Sequence, residues 1–247
     1  MNDDTPEYLQ RDHKVRTGRL RYTSKKPERM DQDRGRESWT MISHRDGRRS
    51  LQAHSEIDDR PSVLRFVQIN LNADSSPADA AVRITVGDEF YGSGWFRFTE
   101  REAECETHTQ IDGRVSQRWA LTSPVRAFGA HAIQNDAWIT RVVDRSRPGE
   151  VQTVPMLLSS SDHRGATGPM LVEVTPSMVF VGEEEVTVEA GSFPAWHFQF
   201  VSVANMPEEH PPYDVWTTTD GDFIMLKAQV TGYMQTCYEL VELRDSF

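Results

Sequence analysis

Short segments in which apolar and polar residues alternate recur about every ten to fourteen residues from Glu37 to the end of the chain. Alternation places successive side chains on opposite faces of a β-strand, and short strands at such regular spacing are typical of an all-β sandwich or barrel. We therefore expect strands throughout this region. Outside the hairpins described next, the strand segments are 63–71, 81–86, 95–99, 151–158, 171–174, 178–181, 185–189, 195–203 and 236–243.

Three Asp-Gly pairs separate neighbouring strand segments and predict β-hairpins. Asp-Gly is a strong hairpin signal because glycine readily adopts the positive φ that a tight type I′ turn needs. The hairpins join 37–44 to 48–57 across Asp46-Gly47, 102–111 to 114–121 across Asp112-Gly113, and 214–219 to 222–230 across Asp220-Gly221.

More than ten short strands in one chain predict an antiparallel sheet that curls or closes, because this removes exposed strand edges. The glycines of segment 91–95 (Y-G-S-G-W) fit a bend or bulge in such a sheet. Helix is scarce: one short helix is expected near 130–138, although 138–143 (W-I-T-R-V-V) could form a strand instead. The expected fold is all-β, a single curled antiparallel sheet or barrel with little helix.

The two ends of the chain differ in charge. Residues 1–36 carry ten basic and seven acidic side chains and few apolar ones, without a sustained period. They predict a basic N-terminal arm, either mobile or packed on a partner subunit, ahead of one ligand-binding domain over 37–247. Residues 180–247 carry twelve acidic and two basic side chains. The two ends could attract each other, within or between subunits, or the arm could be solvated without a partner.

Composition narrows the function classes. The 247 residues have a formal net charge of -11, which argues against nucleic acid as a partner. No run of 18 apolar residues predicts a membrane helix, and no apolar run in the first thirty residues predicts a secretory signal peptide. Two cysteines cannot build a disulfide framework. We therefore expect a cytoplasmic protein without a membrane partner, with a homodimer as the default assembly.

Motifs for cofactors and metals are missing from the sequence. There is no phosphate-binding G-x-x-x-x-G-K-[ST], no G-x-S-x-G, no H-E-x-x-H, and no Cys/His spacing typical of zinc. We expect neither a cofactor nor a metal. If the protein is an enzyme, it works with side chains alone.

Two histidines are candidate proton-transfer groups, because histidine is the commonest general base. His197 lies in segment 195–203, on the face opposite to that of Trp196. It could act if that face lines a lumen, and it would be inert if the face meets solvent. Asp136 could orient the imidazole of His131, but their spacing requires a loop for the two side chains to meet. The alternative for His131 is a loop histidine beside an Asx turn.

Arg65 interrupts the apolar strand segment 63–71. It lies either at a sheet edge or in a polar-lined cavity, where its guanidinium could hold a planar anion. Counting out from a two-residue Asp220-Gly221 turn places Lys227 opposite Asp214, as a cross-strand ion pair. The alternative for Lys227 is a buried lysine with a shifted pKa.

Aromatic residues are candidates for a ligand-binding wall. Counting from Asp46-Gly47 places His54, a further catalytic candidate, opposite Trp39. Trp39, Trp95, Trp119 and Trp216 lie in or beside predicted strands, where inward rings could line an apolar cavity. The alternative is ordinary core packing.

Segment 182–193 (G-E-E-E-V-T-V-E-A-G-S-F) follows the pattern G-x-E-x-V-x-V-x-A-G-x-F, and Trp216, Lys227 and Leu240 follow it. This part, about a quarter of the chain, resembles a broad bacterial family of uncharacterised antiparallel β proteins. The resemblance implies a curled antiparallel sheet, loosely similar to lipocalin-like ligand-binding barrels. It implies no catalytic residues. Members of the family are typically exported, whereas no signal peptide is expected here.

These observations support three hypotheses. The first is a cofactor-independent enzyme, of lyase, isomerase or hydratase type, acting by acid–base chemistry on an apolar or aromatic small molecule in a barrel cavity. The second is a non-catalytic carrier or sensor of such a molecule. The third is a structural or assembly protein that uses the basic arm. In the first, the catalytic candidates are His131, Asp136, His197 and His54, and the binding candidates are Arg65, Lys227 and the four tryptophans.

Overall fold

A computed structural model describes residues 13–162, 164–206 and 210–246. In these residues the chain forms sixteen strands of one sheet and one short α-helix, α1 (Ile133–Ile139). Two 3-10 turns lie at Pro27–Arg29 and Thr140–Val142. The strands are β1 (His13–Ser24), β2 (Asp33–His44), β3 (Arg49–Ile57), β4 (Val63–Leu71), β5 (Pro77–Val86), β6 (Glu89–Phe98), β7 (Glu102–Thr109), β8 (Gly113–Ala120), β9 (Phe128–Gly129), β10 (Val151–Thr153), β11 (Met156–Leu158), β12 (Val172–Val188), β13 (Gly191–Ala204), β14 (Tyr213–Thr218), β15 (Met225–Val230) and β16 (Thr236–Ser246).

The strand order shows how the chain builds the sheet. From β1 the strands follow one another as an antiparallel meander to β8, and on the other side β1 pairs with β16, which leads back through β15, β14 and β13 to β12. Beyond β12 lie β11 and β9, which pair with each other in parallel. The path ends at β8 and β9, which do not pair, so the sheet is not a closed barrel. The prediction of an all-β, many-stranded curled sheet with little helix is confirmed.

One hydrophobic cluster joins the two halves of the sheet. It includes Trp39 and Phe96 from the first half, Phe198 and Leu240 from the second, and Trp138 from α1. Because inward-facing residues of both halves meet in one cluster, the sheet curls around α1. The prediction of a short helix near 130–138 is confirmed, and the strand alternative for residues 138–143 is wrong.

Side chains of α1 fasten it to the β14–β15 hairpin. The amide of Gln134 donates to the carbonyl of Phe223 at 2.9 Å and accepts from the backbone NH of Met225 at 3.0 Å. Trp138 Nε1 donates to the carbonyl of Asp222 at 3.0 Å. These bonds satisfy buried polar groups that a helix enclosed by a sheet would otherwise leave unpaired.

The expectation of a separate N-terminal arm over 1–36 is wrong for residues 13–36. They form β1, in the interior of the strand order between β2 and β16, and the start of β2. Leu20 and Tyr22 face the core at 1% and 3% exposure. Residues 1–12 lie outside the described part of the chain.

Cations of β1 pair with the acidic C-terminal part of the same chain. Arg16 bonds Asp222 at 2.9 Å, and Arg21 bonds Glu189 at 2.8 Å. The attraction between the basic and acidic ends therefore acts within one chain. It lets a strand rich in arginine lie inside the sheet.

Two predicted registers are also wrong. Lys227 lies opposite Trp216 instead of Asp214, because β14 and β15 are joined by six residues and a bulge follows Trp216. His54 lies opposite Ser38 instead of Trp39, because the turn holds three residues between His44 and Arg48 where two were assumed. A shift of one residue moves a side chain to the other face of the sheet. His54 therefore does not share a face with Trp39.

Candidate functional site

A cavity of about 170 Å³ lies beside α1, within the curl of the sheet. Its wall combines residues of α1 with residues of both halves of the sheet and of the loop before β12, and most of them are apolar. We call it the Asp136 cavity. Its lining consists of Tyr22, Arg34, Ile57, Arg65, His131, Ile133, Asp136, Ile139, Met156, Leu158, Arg164, Val174, Pro176, Phe200, Val203, Met206, His210, Tyr213, Val230, Met234, Thr236 and Tyr238.

Asp136 is the acidic residue of this lining. It projects from α1 into the cavity, and its Oδ2 accepts a hydrogen bond from the hydroxyl of Tyr213 at 3.2 Å. The pKa of Asp136 is raised to about 7: burial raises it most and the nearby Glu37 also raises it, whereas the Tyr213 bond and Arg65 lower it. Burial dominates because a carboxylate deep in an apolar environment loses its hydration.

Three tyrosines line the cavity together with this carboxyl. Tyr22 and Tyr238 meet edge to face with ring centroids 4.8 Å apart, and Tyr213 meets Tyr238 in the same way at 6.4 Å. Burial is the largest cause that raises the pKa of each phenol. All three therefore keep their protons near neutral pH and act as hydrogen-bond donors.

Arg65 is buried, and the edge alternative is wrong because β4 lies between β3 and β5. Its guanidinium donates to the carbonyl oxygens of His131 at 2.5 Å, Arg164 at 2.6 Å and Gly165 at 2.9 Å. Burial lowers the pKa of Arg65, partly offset by the surrounding acidic groups. The three bonds hold the loop around residues 164–165 against the segment that leads into α1.

Glu37 is a buried polar residue that the sequence reasoning missed. Its carboxylate accepts from the backbone NH groups of Ile133 and Gln134, at 2.8 and 2.9 Å, and so caps α1 from a distant strand. It also accepts from Tyr22 at 3.0 Å and Ser55 at 2.7 Å. Alternation within β2 places Glu37 on the face of Trp39 and Met41. That signal could have identified it as an inward-facing carboxylate.

The predicted pair of His131 and Asp136 lies at the same cavity, but the observed bonds run elsewhere. His131 Nε2 lies 3.0 Å from Ser160 Oγ, whereas Asp136 bonds Tyr213. His131 occupies a loop position with a φ of 60° directly before α1. The structure thus brings both residues to one site, together with Arg65.

His197 lies on the outer face of the sheet, so the lumen alternative is wrong for this residue. Its ring stacks on Trp216 with centroids 4.2 Å apart. Its Nε2 lies 2.9 Å from Asp214 and its Nδ1 3.3 Å from Glu184. Lys227, also on this face, places its ammonium 5.2 Å from the ring centre of Trp216. The expected ion pair of Lys227 with Asp214 is absent, since Asp214 bonds His197 and Gln199 instead.

The remaining candidates lie on the first half of the sheet. His54 stacks on Phe66 at 4.3 Å, and Trp95 is 41% exposed; both border a broad groove on the outer face of β1–β8. Trp39 points inward and packs on Gly18, as the core alternative anticipated. Trp119 packs partly buried against the same core. The sequence candidates thus divide among three places, and only Arg65, His131 and Asp136 meet at the cavity.

No protein-family model matches the chain, and no curated protein matches it significantly. Among the solved structures, one match supports its fold. A β-barrel-like protein of the DUF1849 domain of unknown function from Brucella abortus matches with a TM-score of 0.60 and 11% identity, over 95% of this chain and 98% of that one. A candidate exported protein with a YmcC-like fold from Bacteroides fragilis matches with a TM-score of 0.31 and 8% identity, over 95% and 96%. A candidate lipoprotein from Parabacteroides distasonis matches with a TM-score of 0.37 and 8% identity, over 93% and 94%.

The Brucella match supports the expected fold, a β-barrel-like sheet of a kind found in bacterial proteins of unknown function. These structural matches carry no information on the G-x-E-x-V motif. Within the described residues, no helix is long and apolar enough to cross a membrane. The same part of the chain holds no group of three or more His, Cys, Asp or Glu side chains arranged to bind a metal.

Proposed function

We propose that this protein binds a small, largely apolar molecule in the Asp136 cavity. The observation that carries the proposal is a concave cavity with a mainly apolar wall, in which Tyr213 donates to a buried carboxyl. Ligand sites combine apolar walls with a few placed polar groups in this way. A volume of about 170 Å³ lies below the roughly 300–1,000 Å³ of drug-sized pockets, so the ligand is the size of a single ring or a short chain.

Calorimetry and thermal shift with single-ring and short-chain compounds test this proposal. A ligand that binds only the folded state raises the unfolding temperature by mass action. The substitution Val203→Phe adds a ring to the cavity wall and should weaken every such ligand. Val201→Phe adds the same ring to an exposed position of β13 and is the matched control. Equal affinities in both variants, or no binding compound in the panel, would contradict the proposal.

A second candidate function is acid–base catalysis on the bound molecule, of lyase, isomerase or hydratase type. The pKa of Asp136, about 7, favours it, because a catalytic acid or base works best when its pKa lies near the working pH. In this case Asp136 exchanges the proton and Tyr213 orients its carboxyl.

Mass spectrometry of each binding mixture separates the two functions. A product formed by the wild type and lost in Asp136→Asn would support catalysis. Unchanged ligand recovered from a mixture in which binding is measured would support binding alone.

A further inference from the structure

Tyr238 is a buried phenol whose hydroxyl has no hydrogen-bond partner among the described residues. Its side chain is 9% exposed, and its ring is held between those of Tyr22 and Tyr213. In the described part of the chain no group hydrogen-bonds its hydroxyl, and the residue lines the Asp136 cavity. A buried tyrosine hydroxyl normally finds a partner. The cavity therefore contains an unused hydrogen-bond donor.

Asp136 presents a second unused atom to the same cavity. Its Oδ2 accepts from Tyr213, whereas Oδ1 bonds no described residue. The charged and titratable groups around it come from several elements: Glu37 of β2, Arg65 of β4 and Tyr213 of β14 act on its pKa, and the cavity wall also holds Tyr22, Arg34, His131, Arg164, His210 and Tyr238. Burial and Glu37 favour the neutral acid, and it prevails below about pH 7. In that state Asp136 also has a proton to donate.

The other polar groups of the wall are already engaged. The hydroxyl of Tyr22 donates to Glu37, and the guanidinium of Arg65 donates to three backbone carbonyls. Arg34 is paired with Asp59, and Arg164 lies 3.6 Å from Asp162. The Tyr238 hydroxyl and the neutral carboxyl of Asp136 are donors of this wall that give no hydrogen bond to a described residue.

We propose that the ligand carries an uncharged oxygen acceptor, such as a carbonyl group, to which Tyr238 and the protonated Asp136 both donate. This inference rests on the proposed function and specifies its ligand class. A carbonyl oxygen that accepts two hydrogen bonds is bound well, and a tyrosine beside a neutral aspartic acid is an established way to polarise one. An amine or another pure donor would instead need Asp136 as the anion.

Acetophenone, ethylbenzene and 1-phenylethylamine are probes of similar shape that differ in the polar group. Their dissociation constants are measured by calorimetry at pH 5.5 and pH 8.5. At pH 5.5 acetophenone should bind about tenfold or more tightly than ethylbenzene, because its carbonyl oxygen accepts two hydrogen bonds that ethylbenzene cannot make. At pH 8.5 this preference should shrink several-fold, because Asp136 loses its proton and repels the carbonyl oxygen.

Two variants test which side chains donate hydrogen bonds to the carbonyl oxygen of the ligand. Tyr238→Phe should lower the preference for acetophenone about three- to tenfold at both pH values and leave ethylbenzene affinity unchanged. Asp136→Asn replaces the acid by an amide whose NH₂ donates at any pH, so its preference should persist at pH 8.5. Tyr233→Phe removes the hydroxyl of a 53% exposed tyrosine outside the cavity lining and is the matched control.

The outcomes separate this inference from the proposed function. Equal binding of acetophenone and ethylbenzene at pH 5.5, or an unchanged preference in Tyr238→Phe, would overturn the carbonyl inference while the binding site stands. Tightest binding of the amine, strengthening at pH 8.5, would also overturn it. If none of the three compounds binds, both the proposed binding site and the inference fail.

Discussion

Replacing Asp136 by asparagine should remove a large part of the pH dependence of stability between pH 5 and pH 8. The pKa of Asp136 is about 7 in the folded protein, against an ordinary value of 3.8. Between these values the folded chain holds a proton that the unfolded chain has released. Its contribution to stability is complete below pH 3.8 and is lost as the pH rises through about 7. Asparagine retains an acceptor for the Tyr213 hydroxyl but does not titrate.

The size of the effect follows from the shift in the pKa of Asp136. One pKa unit corresponds to about 1.4 kcal/mol, so the full shift corresponds to about 4 kcal/mol. Part of this loss of unfolding free energy occurs below pH 5. Between pH 5 and pH 8 the wild type should therefore lose about 3 kcal/mol of unfolding free energy relative to Asp136→Asn.

Urea unfolding followed by circular dichroism at half-unit pH steps measures this difference. Asp144→Asn is the control, because Asp144 is an exposed carboxyl whose pKa is lowered by hydrogen bonds from Ser146. It titrates below the window, so its stability should follow the wild type from pH 5 to pH 8. Parallel curves for the wild type and Asp136→Asn would refute a buried, protonated Asp136.

Gly18→Ala should cost about 1–3 kcal/mol in urea unfolding, because its methyl group would overlap the ring carbons of Trp39. The cost should shrink in a Trp39→Phe background, and an equal cost in both would contradict the overlap. Arg65→Met should cost about 3 kcal/mol or more, since three carbonyls lose their donor, and should expose the loop around residues 164–165 to protease; wild-type stability would contradict this. His197→Ala should leave calorimetric binding at the cavity unchanged, because His197 lies on the outer face. Weaker binding would contradict that placement.

Local patterning made the hairpins and several strands predictable. The segment 63–71 matches β4 residue for residue, because an alternating apolar strand between two others needs no distant information. The segment that became β1 was misread, since its arginines mask the inward residues Leu20 and Tyr22. The acidic partners of these arginines lie about 170–230 residues away in the chain, on residues such as Glu189 and Asp245. A pattern read over a short window cannot contain such partners.

The predicted registers of two hairpins, β2–β3 and β14–β15, were wrong for a related reason. An Asp-Gly pair indicates that a turn exists but does not fix its length, and each residue added to a turn shifts the facing pairs. The long strand β12 was predicted as three pieces, because Pro176 and Gly182 interrupt its apolar pattern. Both residues lie within the strand, and register shifts next to them absorb the interruption.

The candidate site was only partly predictable. His131, Asp136 and Arg65 could be named because their residue types suggest chemistry in any setting. The raised pKa of Asp136 could not be predicted, since it depends on burial by strands from both halves of the chain. Tyr238 was not singled out either, because a tyrosine in a strand is ordinary until its hydroxyl is found unpaired.

The helix in an otherwise β chain links stability to the site. The short α1 lacks a side-chain cap of its own, and Glu37 of β2 takes its first backbone NH groups instead. Asp136 lies in the first turn of that helix, so the bond between β2 and α1 also sets where the carboxyl enters the cavity. Arg65 fixes the residue that leads into the same turn. The geometry of the site thus depends on buried bonds that also hold the two halves of the sheet around the helix, and changes at Glu37 or Arg65 should alter folding and ligand affinity together.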